Sequence, residues 1–128
     1  MIVAGIGCRK GASAAEIVAA IEAAAAAQGV ERQAIAALAV IDLKREEPGI
    51  AEAARLLGLG VTIIDANSAR LLAGETPTVS AASLAATGTG SASEAAALAA
   101  AGPGGRLIGP RTVHSRTTCA LAEGAMRQ

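Results

Sequence analysis

The sequence predicts a single α/β domain in which helices cover both faces of a mostly parallel sheet of about five strands. Short apolar runs alternate with helical patterns along the first half of the chain. The length of 128 residues suits one domain, and no linker or internal repeat divides it. Because the chain has no aromatic residue, Ala, Leu, Ile and Val must build the core. We therefore treat residues 1–128 as one domain.

The chain begins with the pattern of a buried strand followed by a capped helix. Met1–Ile6 is a short apolar run that ends next to glycine, which is typical of a buried strand. Ser13 and Glu16 have the spacing of a capping box, so Ser13 is the predicted N-cap of the first helix. That helix is expected to stop at Gly29.

Two more strands and a second helix complete the first half. Residues 35–41 are apolar but rich in alanine, so strand and helix are hard to separate; the charged segment after them favours a strand. Pro48 and Gly58 bracket the second helix, and residues 61–64, rich in β-branched side chains, form the third strand. The carboxyl ends of such parallel strands are where ligands bind in α/β sheets.

The second half is predicted as two short helices, a glycine-rich turn, one longer helix and two final strands. The longer helix opens with a second capping box, from Ser91 to Glu94, and ends at Gly102. The remaining predicted segments are helices near 68–73 and 77–86, the turn 87–90, strands 106–108 and 117–122, and the loop 109–116 between those strands.

Net charge, cysteine content and the first residues argue against several classes of function. The chain has 11 basic and 11 acidic residues and no aromatics, so it lacks both the positive charge and the stacking surfaces of nucleic-acid binders. Its two cysteines have no metal-ligand spacing, and we expect no metal and no cofactor. No signal peptide and no membrane-spanning apolar run is recognisable. We therefore expect a cytoplasmic protein that binds neither membrane nor nucleic acid.

The segment Gly5–Gly11, with the sequence GIGCRKG, is the most specific motif. Its glycines allow a sharp turn before a helix, and Arg9 and Lys10 add positive charge, which together predict a site for phosphate or carboxylate. It is not a Walker A loop, because Lys10 precedes the last glycine and no Gly-Lys-Ser/Thr occurs. It is not a dinucleotide-binding motif either, because Lys10 stands where the third glycine of that motif would be. A plain strand-to-helix turn explains the pattern equally well. Cys8 could be an activated nucleophile, although a small residue that fits a tight turn is the simpler interpretation.

Two other segments offer polar groups near the predicted ligand edge. Residues 42–47 could supply an acid or base or orient the basic residues of the first motif, although such charge runs are more often solvated loops. Residues 87–91 are a second glycine-rich helix start that could hold a carboxylate or act as a hinge. His114 lies in a predicted basic loop with Arg111 and Arg116, and we expect it to be solvated. Cys119 is expected in the core.

The candidate catalytic residues are Cys8 and Asp42. The candidate ligand-binding residues are Gly7, Cys8, Arg9, Lys10, Gly11, Ser13, Asp42, Lys44, Glu47, Thr87, Gly88, Gly90, Ser91 and Glu94.

Four segments also carry a resemblance to a known family: GIGCRKG and residues 41–49, 90–98 and 117–122. In order and spacing they resemble the CobE and CbiG C-terminal domain family of cobalamin (vitamin B12) biosynthesis, over nearly the whole chain. The resemblance implies a three-layer α/β/α sandwich that acts on corrin-ring intermediates, which carry many acetate and propionate side chains. One departure is Arg111-Thr112, where the family tends to have a lysine.

The resemblance implies a protein of the aerobic cobalamin pathway, and the predicted anion site suits a polycarboxylate. We expect it to bind a precorrin or hydrogenobyrinic acid intermediate, with other enzymes of the pathway as further partners. One alternative is a precorrin lactone hydrolase, since CbiG is implied to open a lactone ring and release acetaldehyde from a cobalt-precorrin. That enzyme is implied to carry additional N-terminal sequence, which favours binding over hydrolysis here. Another alternative is a phosphometabolite or nucleotide binder.

Overall fold

The computed structural model describes residues 2–8, 13–41, 48–64, 92–102, 105–109, 111–114 and 117–124. In chain order its elements are β1 (Ile2–Cys8), α1 (Ala14–Gln28), a 3₁₀ helix (Arg32–Ala34), β2 (Ile35–Ile41), α2 (Pro48–Leu57), β3 (Gly60–Ile64), α3 (Ala92–Ala101), β4 (Arg106–Leu107), β5 (Thr112–His114) and β6 (Thr117–Glu123). None of the helices in these ranges is long and apolar enough to cross a membrane.

The strands form one sheet in the order β3-β2-β1-β6-β4, and β5 pairs with β6 as well. β1, β2 and β3 are parallel, whereas β6 is antiparallel to β1, to β4 and to β5. Among the described strands, β6 therefore runs against all the others, and the predicted mostly parallel sheet is confirmed. Gly5 lies opposite Ala39, and Ile41 lies opposite Ile64, so β1, β2 and β3 end at one edge. We call this the carboxyl edge.

Helices cover both faces of this sheet, which confirms the three-layer α/β/α sandwich. One face carries α1 and α2, whose buried side chains join those of the sheet in the larger apolar cluster. Its bulkiest members are Ile6, Ile17, Ile21, Ile35, Leu38, Val40, Ile50 and Leu121. The other face carries α3, whose Ala95 and Ala96 pack against Val3, Ala39 and Ile41.

The first helix has the boundaries that its local sequence predicts. Ser13 is the N-cap, and its Oγ accepts a hydrogen bond from the Glu16 N–H at 3.1 Å. The Glu16 carboxylate accepts one from the Ser13 N–H at 3.0 Å, which completes the capping box. At the other end Gly29 has a φ of 69°, a left-handed conformation that glycine adopts without strain. The predicted limits of α2, at Pro48 and Gly58, are likewise confirmed.

The last part of the sheet differs from the prediction. Residues 109–116 were expected to form a loop, but Thr112–His114 is strand β5, which brings the number of strands to six. Thr112 lies opposite Cys119, so the strand is defined by pairing with β6. Its Val113 and His114 are both exposed, and the local pattern therefore shows no alternation of apolar and polar residues. The predicted helices at 68–73 and 77–86 and the turn 87–90 lie outside the described residues.

Candidate functional site

Two helices on opposite faces of the sheet begin at the carboxyl edge. α1 follows β1 and starts after Ser13. α3 runs in the same sense, because Ser93 and Ala97 lie against Gly5, whereas Ala101, at its other end, packs near Leu107. The N-terminus of a helix carries unsatisfied N–H groups and partial positive charge. The carboxyl edge therefore combines two helix N-termini, an arrangement that favours anionic groups.

β1 continues through Cys8, two residues beyond the predicted end of the strand, so Gly7 and Cys8 of the GIGCRKG motif lie in a strand and not in the predicted turn. Gly5 and Gly7 both lie in β1, opposite Ala120 and Thr118 of β6. A Cβ on Gly5 would lie 2.6 Å from the backbone N of Ala97 in α3. Gly5 is therefore required for the close approach of a helix, which glycine inside a strand often indicates, and not for a turn around a ligand. The sequence shows this glycine, but it predicts contact with a ligand, whereas in the structure Gly5 contacts α3.

Gly7, a predicted ligand-binding residue, is buried, and its carbonyl oxygen already accepts a side-chain hydrogen bond. The hydroxyl of Thr118 donates a hydrogen bond to the Gly7 carbonyl oxygen at 3.2 Å. This bond links β1 to β6 at the carboxyl edge. Ser13, another predicted site residue, is exposed beside this edge and caps α1.

Cys8, Thr117 and His114 occupy one row across three neighbouring strands. Thr117 lies opposite Cys8 on one side and opposite His114 on the other. Adjacent strands are about 4.8 Å apart, so the backbones of Cys8 and His114 are roughly 10 Å apart, with Thr117 between them. The fold thus brings the candidate nucleophile and the single histidine of the chain to the same edge, but not into a neighbouring pair.

Thr117, in the middle of this row, is not among the residues that the sequence predicts for the site. It is fully buried, and within the described part of the chain its Oγ1 has no hydrogen-bond partner. Buried hydroxyl groups are normally paired, because desolvation without a hydrogen bond costs free energy. The sequence signal was slight, a threonine at the start of an otherwise apolar strand.

Glu94, predicted to bind ligand, is fully buried in the first turn of α3. Its carboxylate accepts a hydrogen bond from the backbone N–H of Arg111 at 2.9 Å. Arg111 immediately precedes β5, so this contact joins α3 to the strand that borders β6. Glu94 therefore has a structural role in this protein, because its hydrogen bond connects α3 to the residue that precedes β5.

The other candidate residues lie outside the described residues and stay predictions. In the sequence they come directly after β1 or β2, which end at the carboxyl edge, or directly before α3. They are Arg9, Lys10, Gly11, Asp42, Lys44, Glu47, Thr87, Gly88, Gly90 and Ser91. The same holds for the side chain of Cys8.

Cys119 lies in the core, as predicted. It is fully buried in the apolar cluster on the α1 side of the sheet. Burial raises the pKa of this thiol to about 12, because the thiolate would be deprived of water. Cys119 is therefore a packing residue and not a nucleophile. No three metal-binding side chains cluster within the ranges that the structure describes.

Comparison with known proteins gives a consistent result. The family described as cobalamin synthesis G C-terminus matches residues 2–122. The chain is similar to the crystal structure of CobE, a protein from the cobalamin (vitamin B12) biosynthetic pathway, with 36% identity and a TM-score of 0.93 over 100% of this chain and 93% of that one. It is also similar to the cobalamin biosynthesis protein chiG from Agrobacterium tumefaciens str. C58, with 48% identity and a TM-score of 0.79 over 98% of this chain and 100% of that one.

A third structure, a homologue of cobalamin biosynthesis protein G from Sulfolobus solfataricus, shares the fold at 22% identity and a TM-score of 0.69; the match covers 94% of this chain and 36% of that one. A search of curated proteins finds no match. The family match covers nearly the whole chain, and the two more similar structures agree with it in sequence and fold. The chain therefore belongs to the cobalamin synthesis G C-terminus family, which places it in cobalamin biosynthesis.

Proposed function

We propose that this protein binds a precorrin or hydrogenobyrinic acid intermediate of cobalamin biosynthesis at the carboxyl edge of its sheet. The observation that carries the proposal is the start of two helices, α1 and α3, at the edge where three parallel strands end. Corrin intermediates carry several carboxylates, and helix N-termini on both faces of the sheet suit such a ligand. Membership of a cobalamin biosynthesis family supports a corrin intermediate as the ligand.

The capping of α1 leaves donors available for an anion. The capping box satisfies the N–H groups of Ser13 and Glu16. The first N–H groups of a helix have no intrahelical acceptor, so those of Ala14 and Ala15 stay unsatisfied within the helix. Arg9 and Lys10, just before them in sequence, add the charge that a carboxylate requires.

A binding titration tests the proposal directly. The protein has no Trp, Tyr or Phe, so near-ultraviolet and visible absorption report the macrocycle and not the protein. Addition of the protein to hydrogenobyrinic acid, and separately to precorrin intermediates, is expected to shift the ligand spectrum, with co-elution in gel filtration. The absence of both effects at micromolar protein would refute the proposal. Release of acetaldehyde from a lactone-bearing intermediate would instead identify a hydrolase.

Charge variants locate the site. Arg9→Ala and Lys10→Ala are each expected to weaken binding about tenfold, because charge-assisted hydrogen bonds contribute more than neutral ones. The loss should be larger at low ionic strength, where exposed charges are less screened. Arg106→Ala is the matched control, because Arg106 lies at the opposite end of the sheet, where it forms an exposed ion pair with Glu123. Equal losses in all three variants would argue against a site at the carboxyl edge.

Two further parts of the proposal concern the cell. We infer a cytoplasmic location and exchange of the ligand with other enzymes of the pathway. Fractionation of the source cells tests the first. For the second, ligand transfer to the next enzyme should be faster with the protein than with free ligand at equal total concentration.

A further inference from the structure

Thr117 stands at the junction of the apolar core and the carboxyl edge. Side chains two residues apart along a strand point to the same face, so Thr117 shares its face with Cys119 and Leu121. Those two residues belong to the cluster beneath α1 and α2. Thr117 is as buried as they are, yet it carries a hydroxyl that has no partner among the described residues. A valine of the same shape would avoid this cost to folding.

The next residue in β6, Thr118, differs from Thr117 because its hydroxyl has a hydrogen-bond partner. Its side chain faces the α3 side, and its hydroxyl is bonded to the Gly7 carbonyl oxygen. Thr117 faces the α1 side, at the edge where α1 begins. Among the described residues, that side carries the α1 N-terminus, whose Ala14 and Ala15 N–H groups have no acceptor within the helix, and the Thr117 hydroxyl. The Ala14 and Ala15 N–H groups and the Thr117 hydroxyl can each donate a hydrogen bond, and such donors recognise an anion; the Glu16 carboxylate at the same helix end is held by the capping box.

We propose that Thr117 is a specificity-determining residue of the binding site, whose hydroxyl donates a hydrogen bond to a carboxylate side chain of the corrin ligand at the start of α1. This inference rests on the proposed function and assigns one recognition residue to it. The unpaired Thr117 hydroxyl destabilises the free protein, and the same hydroxyl binds the ligand in the complex. These two effects together explain a threonine at a position where the apolar core would favour valine.

The test compares three hydroxyl variants by ligand affinity and by thermal stability. Thr117→Val is expected to weaken hydrogenobyrinic acid binding at least tenfold while the midpoint of unfolding stays the same or rises. Thr117→Ser, which keeps the hydroxyl, is expected to restore most of the affinity. Thr62→Val removes an exposed hydroxyl from β3 and is expected to leave both quantities unchanged.

The outcomes separate this inference from the proposed function. If the unmodified protein does not bind the ligand, the proposed function fails and this inference fails with it. If the unmodified protein binds and Thr117→Val binds equally well, the inference alone is wrong. It is also wrong if Thr117→Val is less stable than the unmodified protein or does not fold, because the hydroxyl would then serve the structure.

Discussion

Replacement of Gly5 by alanine tests how the α3 layer is held against the sheet. The added Cβ would lie 2.6 Å from Ala97 N and 2.9 Å from Ala97 Cβ, and closer still to the Ser93 carbonyl oxygen. Ordinary contact begins at 3.4 Å, so α3 must retreat by at least 0.8 Å to clear Ala97 N, and by more to clear Ser93. The obstacle is helix backbone, which cannot rotate away as a side chain could.

The cost follows from what the displaced helix buries. The residues Ala95, Ala96, Ala97 and Leu98 are all nearly or fully inaccessible to solvent. Overpacking a close-packed interior costs about 1–3 kcal/mol and sometimes more, and we expect about 3 kcal/mol here. For 128 residues the entropy of unfolding is about 0.27 kcal/mol/K, so this loss lowers the unfolding midpoint by about 11 °C.

Far-ultraviolet circular dichroism during heating measures this shift without aromatic residues. The matched control is Gly60→Ala, because a Cβ on Gly60 meets nothing within 4 Å. That variant is expected to be neutral or up to about 1 kcal/mol more stable, since alanine restricts the unfolded chain. A Gly5→Ala protein that melts within 2 °C of the Gly60→Ala protein would refute the close approach of α3.

Three more variants test the caps, the buried thiol and the buried carboxylate. Ser13→Ala should lose about 1 kcal/mol in urea unfolding, whereas Ser13→Asp should keep most of it, because aspartate also caps. In a Cys8→Ser background, Cys119 should not react with a disulfide reagent at pH 8 until denaturant is added, because its pKa is about 12; prompt reaction would contradict its burial. Glu94→Ala should cost about 2–3 kcal/mol in urea unfolding and Glu94→Gln clearly less, because the amide oxygen can still accept from the Arg111 N–H; equal losses would contradict that role.

The elements that the sequence predicts correctly are those whose determinants are local. The limits of α1 follow from Ser13, Glu16 and Gly29, all within or beside the helix itself. The strand at residues 35–41 follows from its own apolar side chains and the charged segment after it. In each case the interactions that stabilise the element lie within a few residues of it. The element can therefore be predicted from the local sequence alone.

The features that were missed depend on contacts between distant parts of the chain. β5 exists because it pairs with β6, and its exposed Val113 and His114 give no local signal. The burial of Glu94 depends on the Arg111 backbone, 17 residues away, and the role of Gly5 depends on α3, nearly 90 residues away. Even the row that places Thr117 between Cys8 and His114 requires the antiparallel insertion of β6 beside β1. A periodicity argument cannot supply such pairings.

Side chains on the two faces of the sheet differ in size, and this difference affects where the α3 N-terminus lies at the carboxyl edge. The α1 side is filled by Ile17, Ile21 and other large side chains, whereas α3 presents mainly alanine. An alanine removes little apolar area from water, so α3 must gain its attraction by close contact, and Gly5 permits that contact. The depth of α3 against the sheet also sets where its N-terminus stands at the carboxyl edge. If the proposed corrin site is correct, Gly5→Ala should therefore weaken ligand binding as well as folding, although Gly5 itself is buried against the helix and not available to a ligand.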